Sequence, residues 1–339
     1  MLTLENRLSA FIQLGVYLRT LPVEERRYLA RRASEHNNFF DFPNVSAALD
    51  GIASMLQKEQ LEAWLAQYDI PQINPSPKKV GVVMAGNIPA VGFHDALCVL
   101  LAGHILQAKP ASGDPFLLPH LLSKLVDIEP GFQEQIQLVH MMKESDAVIA
   151  TGSDNTARHF EFYFANRPHI IRRNRTSVAV LTGNETKEEL ASLGDDILQY
   201  YGLGCRNVSK AYVPQDYDFT PFFEAIQSKQ EVANHHKYQN NYDYNKSIYL
   251  VNGVPHLDNG FLMVTENQQL VSPISVLFYE TYTDQQDLGQ KLEAVQEKLQ
   301  CVVSKEAHWP RSFAFGQAQC PSVNDYADGV DTMEFLLKL

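Results

Sequence analysis

From Lys79 onward the chain alternates short apolar runs with longer amphipathic ones, and this alternation limits what it can fold into more than any other feature. "VGVVMAG" (80–86), "ILQAKP", "IQLVH", "DAVIATG" and "TSVAVLTG" have the length and β-branched content of buried strands. Between them "PAVGFHDALCVLLAGH", "DPFLLPHLLSKLVDI" and "SDNTARHFEFYFAN" read as helices. "TKEELASLGDDILQYY" follows as another, with a Thr186…Glu189 capping box at its start and Gly202 past its end. Strands that are apolar throughout and separated by helices imply an α/β fold with a parallel sheet covered on both faces.

On either side of this core the texture differs. Residues 1 to about 74 are expected to be helical, because "LENRLSAFIQLGVYLRTL", "PVEERRYLARRAS" and "NVSAALDGIASMLQKEQLEAWLAQY" repeat apolar positions at helical spacing. Pro22 suits the start of the second helix and Asn44 the N-cap of the third. The first reads as an amphipathic helix, not a signal peptide, since Glu5, Asn6, Arg7 and Gln13 interrupt it. "PQINPSPKK" reads as a linker. Beyond Cys205, "SKAYVP", "KSIYLV" and "ISVLFYETY" are expected strands and "QQDLGQKLEAVQEKL" a helix, which makes a second α/β domain. The polar, tyrosine-rich "NHHKYQNNYDYNK" (234–246) is expected to be a surface loop.

Charge and cysteine usage narrow the function. Forty acidic against 28 basic side chains give a net charge of -12, which argues against a general nucleic-acid or anionic-membrane binder but leaves room for a local basic pocket. The most apolar stretch, "AVGFHDALCVLLAGHILQA", contains His94, Asp95 and His104 and is not read as a membrane span. Cys98, Cys205, Cys301 and Cys320 are widely spaced with no CxxC pair, so no disulfide framework is expected and the cytoplasm is the simplest compartment. No metal is expected: His235 and His236 are adjacent without partners at ligand spacing, and "NDYADGVDTMEF" fails as a calcium loop at Tyr326 and Phe335. "IIRRNRTS" (170–177) reads as an ion-paired strand entry more readily than a phosphate patch.

Three strand-to-helix turns stand out: "MAGNIPA" (84–90), "AKPASGD" (108–114) and "ATGSDNT" (150–156). Open α/β sheets bind ligands at the carboxyl ends of their strands, and three such turns together favour a binding edge over ordinary turns. Gly152 permits close backbone approach, while Ser153 and Asp154 suit a helix cap or a phosphate site. Cys205, in "YYGLGCRNVSKAYVP", is balanced on its own residues. A cysteine is among the most buried residue types, yet Gly202 and Gly204 flank this one and polar Arg206 and Asn207 follow it.

In order, "GNIPA", "LAGHILQAKPAS", "ATGS" and "GLGC" resemble the aldehyde dehydrogenase superfamily, and more closely its acyl-CoA reductase family, which includes the fatty-acid reductase subunit of bacterial luminescence systems. "VNDYADGVDTMEFLLKL" is similar too, and the resemblance spans roughly residues 75 to 335. It implies an aldehyde-dehydrogenase-like fold with a helical N-terminal region (1–74) and a Rossmann-like cofactor domain (75–185). A smaller α/β catalytic domain (186–305) would follow, and then a C-terminal segment (306–339) packing back on the fold. It implies Cys205 as the nucleophile and Asn87 as an oxyanion donor. Lys109 and Ser112 would lie at the adenosine ribose of NADPH or NADH, with Gly152 and Ser153 by the pyrophosphate. Ser112 stands where many NAD-preferring members carry glutamate, so NADPH is tolerable. The implied reaction reduces acyl-CoA to an aldehyde and releases coenzyme A.

Two departures matter. "IRRNRTSVAV" has no carboxylate where hydrolytic members carry their general base, which favours exchange of the thioester with a thiol over hydrolysis. "QLVSP" offers Gln269 where the family's "ExFGP" has glutamate. At 339 residues the chain is shorter than typical members, with losses expected in the catalytic domain and the oligomerisation hairpin. A degraded, non-catalytic paralogue and a cysteine hydrolase or acyltransferase therefore stay open, as do acyl chain length and oligomeric state, although family members are usually dimers or larger.

Overall fold

The N-terminal apolar spacing produces four helices: α1 (Leu4–Thr20), α2 (Val23–Ser34), α3 (Phe42–Met55) and α4 (Lys58–Leu65). The computed structural model describes residues 2–142 and 144–339. Thr3 caps α1, accepting from the Asn6 N–H at 3.2 Å. The face of α1 bearing Phe11, Leu14 and Leu18 is buried, and Gly15 lets it approach α3 so closely that a Cβ there would stand 2.8 Å from the Leu56 Cβ. The cap of α3 is Asp41, not Asn44. Asp41 accepts from the Asn44 N–H at 3.0 Å, and α3 starts ahead of Pro43, which the first helical turn tolerates.

The expected alternation follows: β1 (Lys79–Val83), α5 (Phe93–Leu101), β2 (Ile105–Lys109), α6 (Leu117–Ile128), β3 (Ile136–Leu138), β4 (Ala147–Thr151), α7 (Asp154–Phe164) and β5 (His169–Arg172). The five strands form a parallel sheet in the order β3-β2-β1-β4-β5. After β3 the chain returns across the sheet to lay β4 beside β1, so the order reverses between β1 and β4. Ligands of doubly wound sheets bind at such a reversal.

These elements and residues 321–339 form one unit, Met1–Asn174 with Pro321–Leu339. The returning segment carries the final helix, introduced below, and is tied in by buried polar contacts. Trp64 Nε1 donates to the Tyr326 hydroxyl at 2.8 Å, and the Tyr68 hydroxyl donates to Asp331 at 2.7 Å. Arg172, held charged in spite of its burial by Asp95 at 2.5 Å, also donates to Thr332 at 2.8 Å. The "IIRRNRTS" stretch is thus an ion-paired strand end at Arg172, and Arg173 pairs with Glu161 at 2.7 Å.

Arg175–Cys320 make the second unit. Its elements are β6 (Thr176–Val180), α8 (Lys187–Leu198), β7 (Val208–Pro214), α9 (Thr220–Ile226), α10 (His236–Asn252), β8 (Leu257–Asp258), β9 (Met263–Glu266), β10 (Val276–Tyr282), α11 (Gln285–Val295), β11 (Leu299–Ser304) and β12 (Ser312–Phe313). The last helix of the chain, in the first unit, is α12 (Thr332–Leu337). The second sheet runs β12-β11-β6-β7-β10-β9-β8, parallel except for the β8–β9 pair. The boundary therefore falls at Arg175, not at 186, and "TSVAVLTG" is a central strand of the second sheet. Two other expectations fail here. The stretch 234–246 is not a loop and "KSIYLV" is not a strand. From His236 on both belong to α10, which buries Tyr238, Tyr242 and Asn245 at helical spacing. Among the described residues no helix is long and apolar enough to cross a membrane.

Candidate active site

The residues expected to serve the cofactor lie along the carboxyl edge of the first sheet. Parallel register sets Val83 level with Lys109 on one side and Ala150 on the other, so the loops leaving β1, β2 and β4 emerge together. Asn87 is exposed on the β1 loop, Lys109 is the last residue of β2, and Ser112 is exposed just beyond it. Gly152 and Ser153 follow β4. Asn87 and the Gly152–Ser153 pair thus flank the point where strand order reverses.

These loops are built on close backbone approach. A Cβ on Gly113 would stand 2.7 Å from the Gly86 carbonyl oxygen, and one on Gly86 would stand 2.7 Å from the Ala111 Cβ. Buried Asp114 locks the same crossing, accepting from the Ala90 N–H at 2.8 Å and the Leu117 N–H at 2.9 Å. Burial raises its carboxyl, and these N–H donors oppose part of the rise. Ser153 caps α7, accepting from the Thr156 N–H at 3.3 Å. The amides and positive dipole end of α7 face the same edge as the cap.

Cys205 lies in the second unit, half-buried in the turn between α8 and β7. The chain leaves α8 through three left-handed residues, Tyr200 (φ 51°), Tyr201 (φ 58°) and Gly202 (φ 77°). Only the last is a glycine, and packing holds the second. Tyr201 packs with its ring centre 4.4 Å from that of His235, tilted by 37°, and the His235 Nδ1 accepts the Tyr238 N–H at the start of α10. Arg206 and Asn207, whose polarity suggests an exposed loop, do the opposite. Asn207 is only 2% exposed. Its side-chain amide donates to the carbonyls of Asp196 (3.1 Å), Ile197 (3.3 Å) and Gln199 (2.8 Å), and its oxygen accepts the Gly204 N–H at 2.8 Å. One side chain therefore meets two end carbonyls of α8 and that of Gln199 just beyond it, and fixes the residue ahead of Cys205.

Three more side chains complete the clamp. Ser177 on β6, fully buried, donates to the Cys205 carbonyl at 3.0 Å and accepts the Cys301 N–H at 3.2 Å. Arg206 donates to the Ala318 carbonyl at 3.0 Å and lies 4.8 Å over the Phe313 ring. Asp196 accepts the N–H groups of Gly316 (2.6 Å) and Ala318 (3.0 Å). Burial lifts the Asp196 carboxyl to about 6, with those two donors opposing the rise. The other cysteines differ in setting. Burial pushes the Cys98 thiol far up and the Cys301 thiol up to about 11, and raises Cys320 too. None of the four is in a disulfide.

Residues 50–229, just over half of the chain, match the profile of the acyl-CoA reductase (LuxC) family. The chain belongs to this family. A long-chain acyl-protein thioester reductase from Aliivibrio fischeri is 24% identical over 169 residues, which cover 45% of this chain and 35% of that protein. The chain thus matches about a third of that relative's length. Among solved structures, an E. coli NADP-dependent enzyme superimposes with a TM-score of 0.65 at 14% identity, covering 90% of this chain and 73% of that one. An aldehyde dehydrogenase from Bacillus cereus in complex with NAD+ gives 0.63 at 14% identity, covering 91% and 74%. At such identities the likeness establishes the aldehyde dehydrogenase fold.

For an acyl-CoA reductase family member, the motif residues fall on two scaffolds: Asn87, Lys109, Ser112, Gly152 and Ser153 on the first unit, Cys205 on the second. Sequence reasoning missed Asp196, Asn207 and Ser177. The signal for Asn207 is its place two residues past the cysteine and directly before β7. Asp196 and Ser177 carry no local signal, because their partners lie 120 and 28 residues away.

Proposed function

We propose that this protein reduces an acyl thioester, with acyl-CoA as the expected substrate, to an aldehyde using NAD(P)H through a covalent thioester on Cys205. The observation that carries this reading is a half-buried thiol on a loop fixed by Asn207, Ser177, Arg206 and Asp196. A nucleophile presented from a rigid turn gives up little orientational freedom on attack. Cys98 and Cys301 suit the role less, since burial keeps their thiols protonated.

The first sheet's carboxyl edge fits a dinucleotide. Its glycine crossing packs the loops after β1 and β2 against each other, its capped helix start suits a pyrophosphate, and exposed Ser112 follows Lys109 by three residues. NAD(P)H, when bound, supplies the hydride. Lys109 would hold the adenosine ribose, and Ser153 with the first amides of α7 would hold the pyrophosphate. The Cys205 thiol gives up its proton as its sulfur attacks the acyl carbonyl, the bond to the coenzyme A sulfur breaks, and that thiolate leaves and takes up the proton through solvent. An amide donor to the oxyanion formed in that step is the role the family resemblance implies for Asn87. After reduction of the acyl carbon the hemithioacetal on Cys205 collapses, the carbon–sulfur bond breaks, and aldehyde departs with the thiol restored.

Intact-mass analysis after adding acyl-CoA without reductant tests this directly. One acyl adduct is expected on the peptide containing Cys205. It should persist in buffer and disappear on adding coenzyme A or NADPH. Cys205→Ala should abolish it and Cys98→Ala should not. An adduct on Cys98, Cys301 or Cys320, or one that hydrolyses at once, overturns the mechanism.

A further inference from the structure

His104 is buried at the corner between α5 and β2, and two distant parts of the first unit meet on its ring. Its Nε2 lies 2.9 Å from the Leu336 carbonyl on α12. A carbonyl only accepts, so Nε2 carries the ring hydrogen. On the other side Nδ1 faces the Lys78 N–H at 3.0 Å and the Asn74 side-chain amide at 3.3 Å, both in the segment between α4 and β1. The Asn74 oxygen is taken by the Ser76 N–H at 3.0 Å, so its nitrogen is the atom turned to the ring. Two donors point at Nδ1, and Nδ1 is therefore bare. The ring is neutral, and a proton on Nδ1 would set hydrogen against both donors at once.

The surrounding charges make that proton costly. Arg7 of α1 is 1% exposed and lies against the residue before the ring, since a Cβ on Gly103 would stand 3.1 Å from its Nη1. Arg7 donates to the Leu2 and Pro71 carbonyls at 2.7 and 3.4 Å, and among the described residues no carboxylate pairs with it. Lys78 adds a second positive charge, and the opposing acid, Asp146, is exposed and accepts the Lys79 N–H at 2.7 Å. The charged residues at the end of α12, Glu334 and Lys338, pair with each other in solvent. Burial first, and then Lys78 and Arg7, hold the His104 ring below its ordinary value of 6.5. His94 grips the same returning segment through the Val323 carbonyl at 2.8 Å, and burial lowers its ring too. There, however, Asp95 and Asp325 favour a charge that Arg172 opposes. His104 is the ring that meets a proton with cations on two sides.

We infer that His104 is an acid-operated latch: a proton on its Nδ1 frees the segment before β1 and α12 together, and residues 321–339 open from the first unit while the second unit stays folded. The folded ring holds its proton more weakly than the open one, so closure is complete above about pH 6.5 and weakens as pH falls below it. The released helix packs on α5, which leads out of the loop carrying Asn87, so acid loosens the carboxyl edge from behind. The second unit responds in the opposite sense, because the Asp196 proton stabilises it as pH falls.

Hydrogen-exchange mass spectrometry on the full chain, with labelling times scaled for the intrinsic effect of pH, provides the test. Peptides from 321–339 should be protected at pH 8. Their opening constant should rise about ten-fold per pH unit between about 6.5 and 5, the slope of one linked proton. Peptides from the second sheet should keep their protection over that range. His104→Gln retains an amide donor toward the Leu336 carbonyl and takes up no proton, so this slope should vanish in it. The same slope in His104→Gln, opening of both units together, or a segment still closed at pH 5 overturns the inference. If His104→Gln is open even at pH 8, the imidazole 15N resonances of the parent chain decide. Protonation of His104 should then coincide with opening, and a charged ring beneath a protected segment overturns the latch.

Discussion

The carboxyl edge of the first unit's sheet and the Cys205 turn of the second unit are both loops at the end of a strand or helix, yet they are held by opposite means. The first is shaped by missing side chains: Gly86 and Gly113 cross at a distance no Cβ allows, and Asn87, Ser112 and Ser153 are left exposed. The second is shaped by added ones: Asn207, Ser177, Asp196 and Arg206 reach into a buried layer and hold the backbone through hydrogen bonds. An edge of the first kind suits a ligand that must lie against main chain and then leave. A clamp of the second kind suits a reacting atom that must stay in one place through several steps.

The contrast can be broken from either side, and the largest effect is expected at Asn207. Asn207→Ala removes four hydrogen bonds and leaves buried carbonyls unpaired, so we expect a loss of about 4 kcal/mol in urea unfolding. Alkylation of Cys205 should become slower or lose its single-exponential time course. A variant that keeps parent stability and thiol kinetics would show that the clamp is not needed.

Asp196 gives the next effect, and it depends on pH. Burial raises its carboxyl from 3.8 to about 6, so the folded chain holds this proton more tightly than the unfolded one. The stabilisation from that proton is complete below about pH 4 and is lost as pH rises through 6, a change of about 3 kcal/mol. Asp196→Asn should remove this part of the stability profile between pH 4 and 7. A profile of the same slope in the variant would assign the titration elsewhere.

Gly113→Ala tests the first region. Its Cβ would meet the Gly86 carbonyl oxygen, and main chain cannot turn aside, so a loss of about 2 kcal/mol is expected. Dinucleotide affinity should weaken with it, while the Cys205 alkylation rate stays at the parent value. The smallest effect belongs to the α7 cap: Ser153→Ala should cost about 1 kcal/mol in thermal unfolding and weaken dinucleotide binding without touching the thiol. A shift in alkylation rate from either change would dissolve the separation between the two regions.

Much of the fold and of the first sheet's carboxyl edge is legible in the amino-acid sequence. Apolar runs such as "VGVV" and "AVIA" announce buried parallel strands because both faces of such a sheet are covered. The turns at 84–90, 108–114 and 150–156 mark the carboxyl edge by their position after those strands. What escapes the sequence is non-local or disguised. An apolar strand does not say which sheet it joins, so nothing within "TSVAV" assigns it to the second. Helix α10 is hidden because its buried face is made of tyrosine and asparagine, although Tyr238, Tyr242 and Asn245 keep helical spacing. Asn207 misleads because a polar residue in a glycine-rich turn suggests solvent, whereas here its amide serves as the end piece of α8. The clamp of Ser177 and Asp196 depends on partners that only the folded chain brings near.

The return of Pro321–Leu339 to the first unit has a consequence for how the protein is made. Arg175–Cys320 emerge from the ribosome as one uninterrupted stretch and can complete their sheet as soon as they are clear of it. The first unit, though synthesised earlier, must wait for the last residues of the chain. Until then Trp64 lacks Tyr326, Arg172 lacks Thr332, and the His104 ring lacks the Leu336 carbonyl it meets at 2.9 Å. A nascent chain halted at Cys320 would hold a finished cysteine-bearing unit tethered to an unfinished first unit, and its protease-sensitive sites should fall before Arg175.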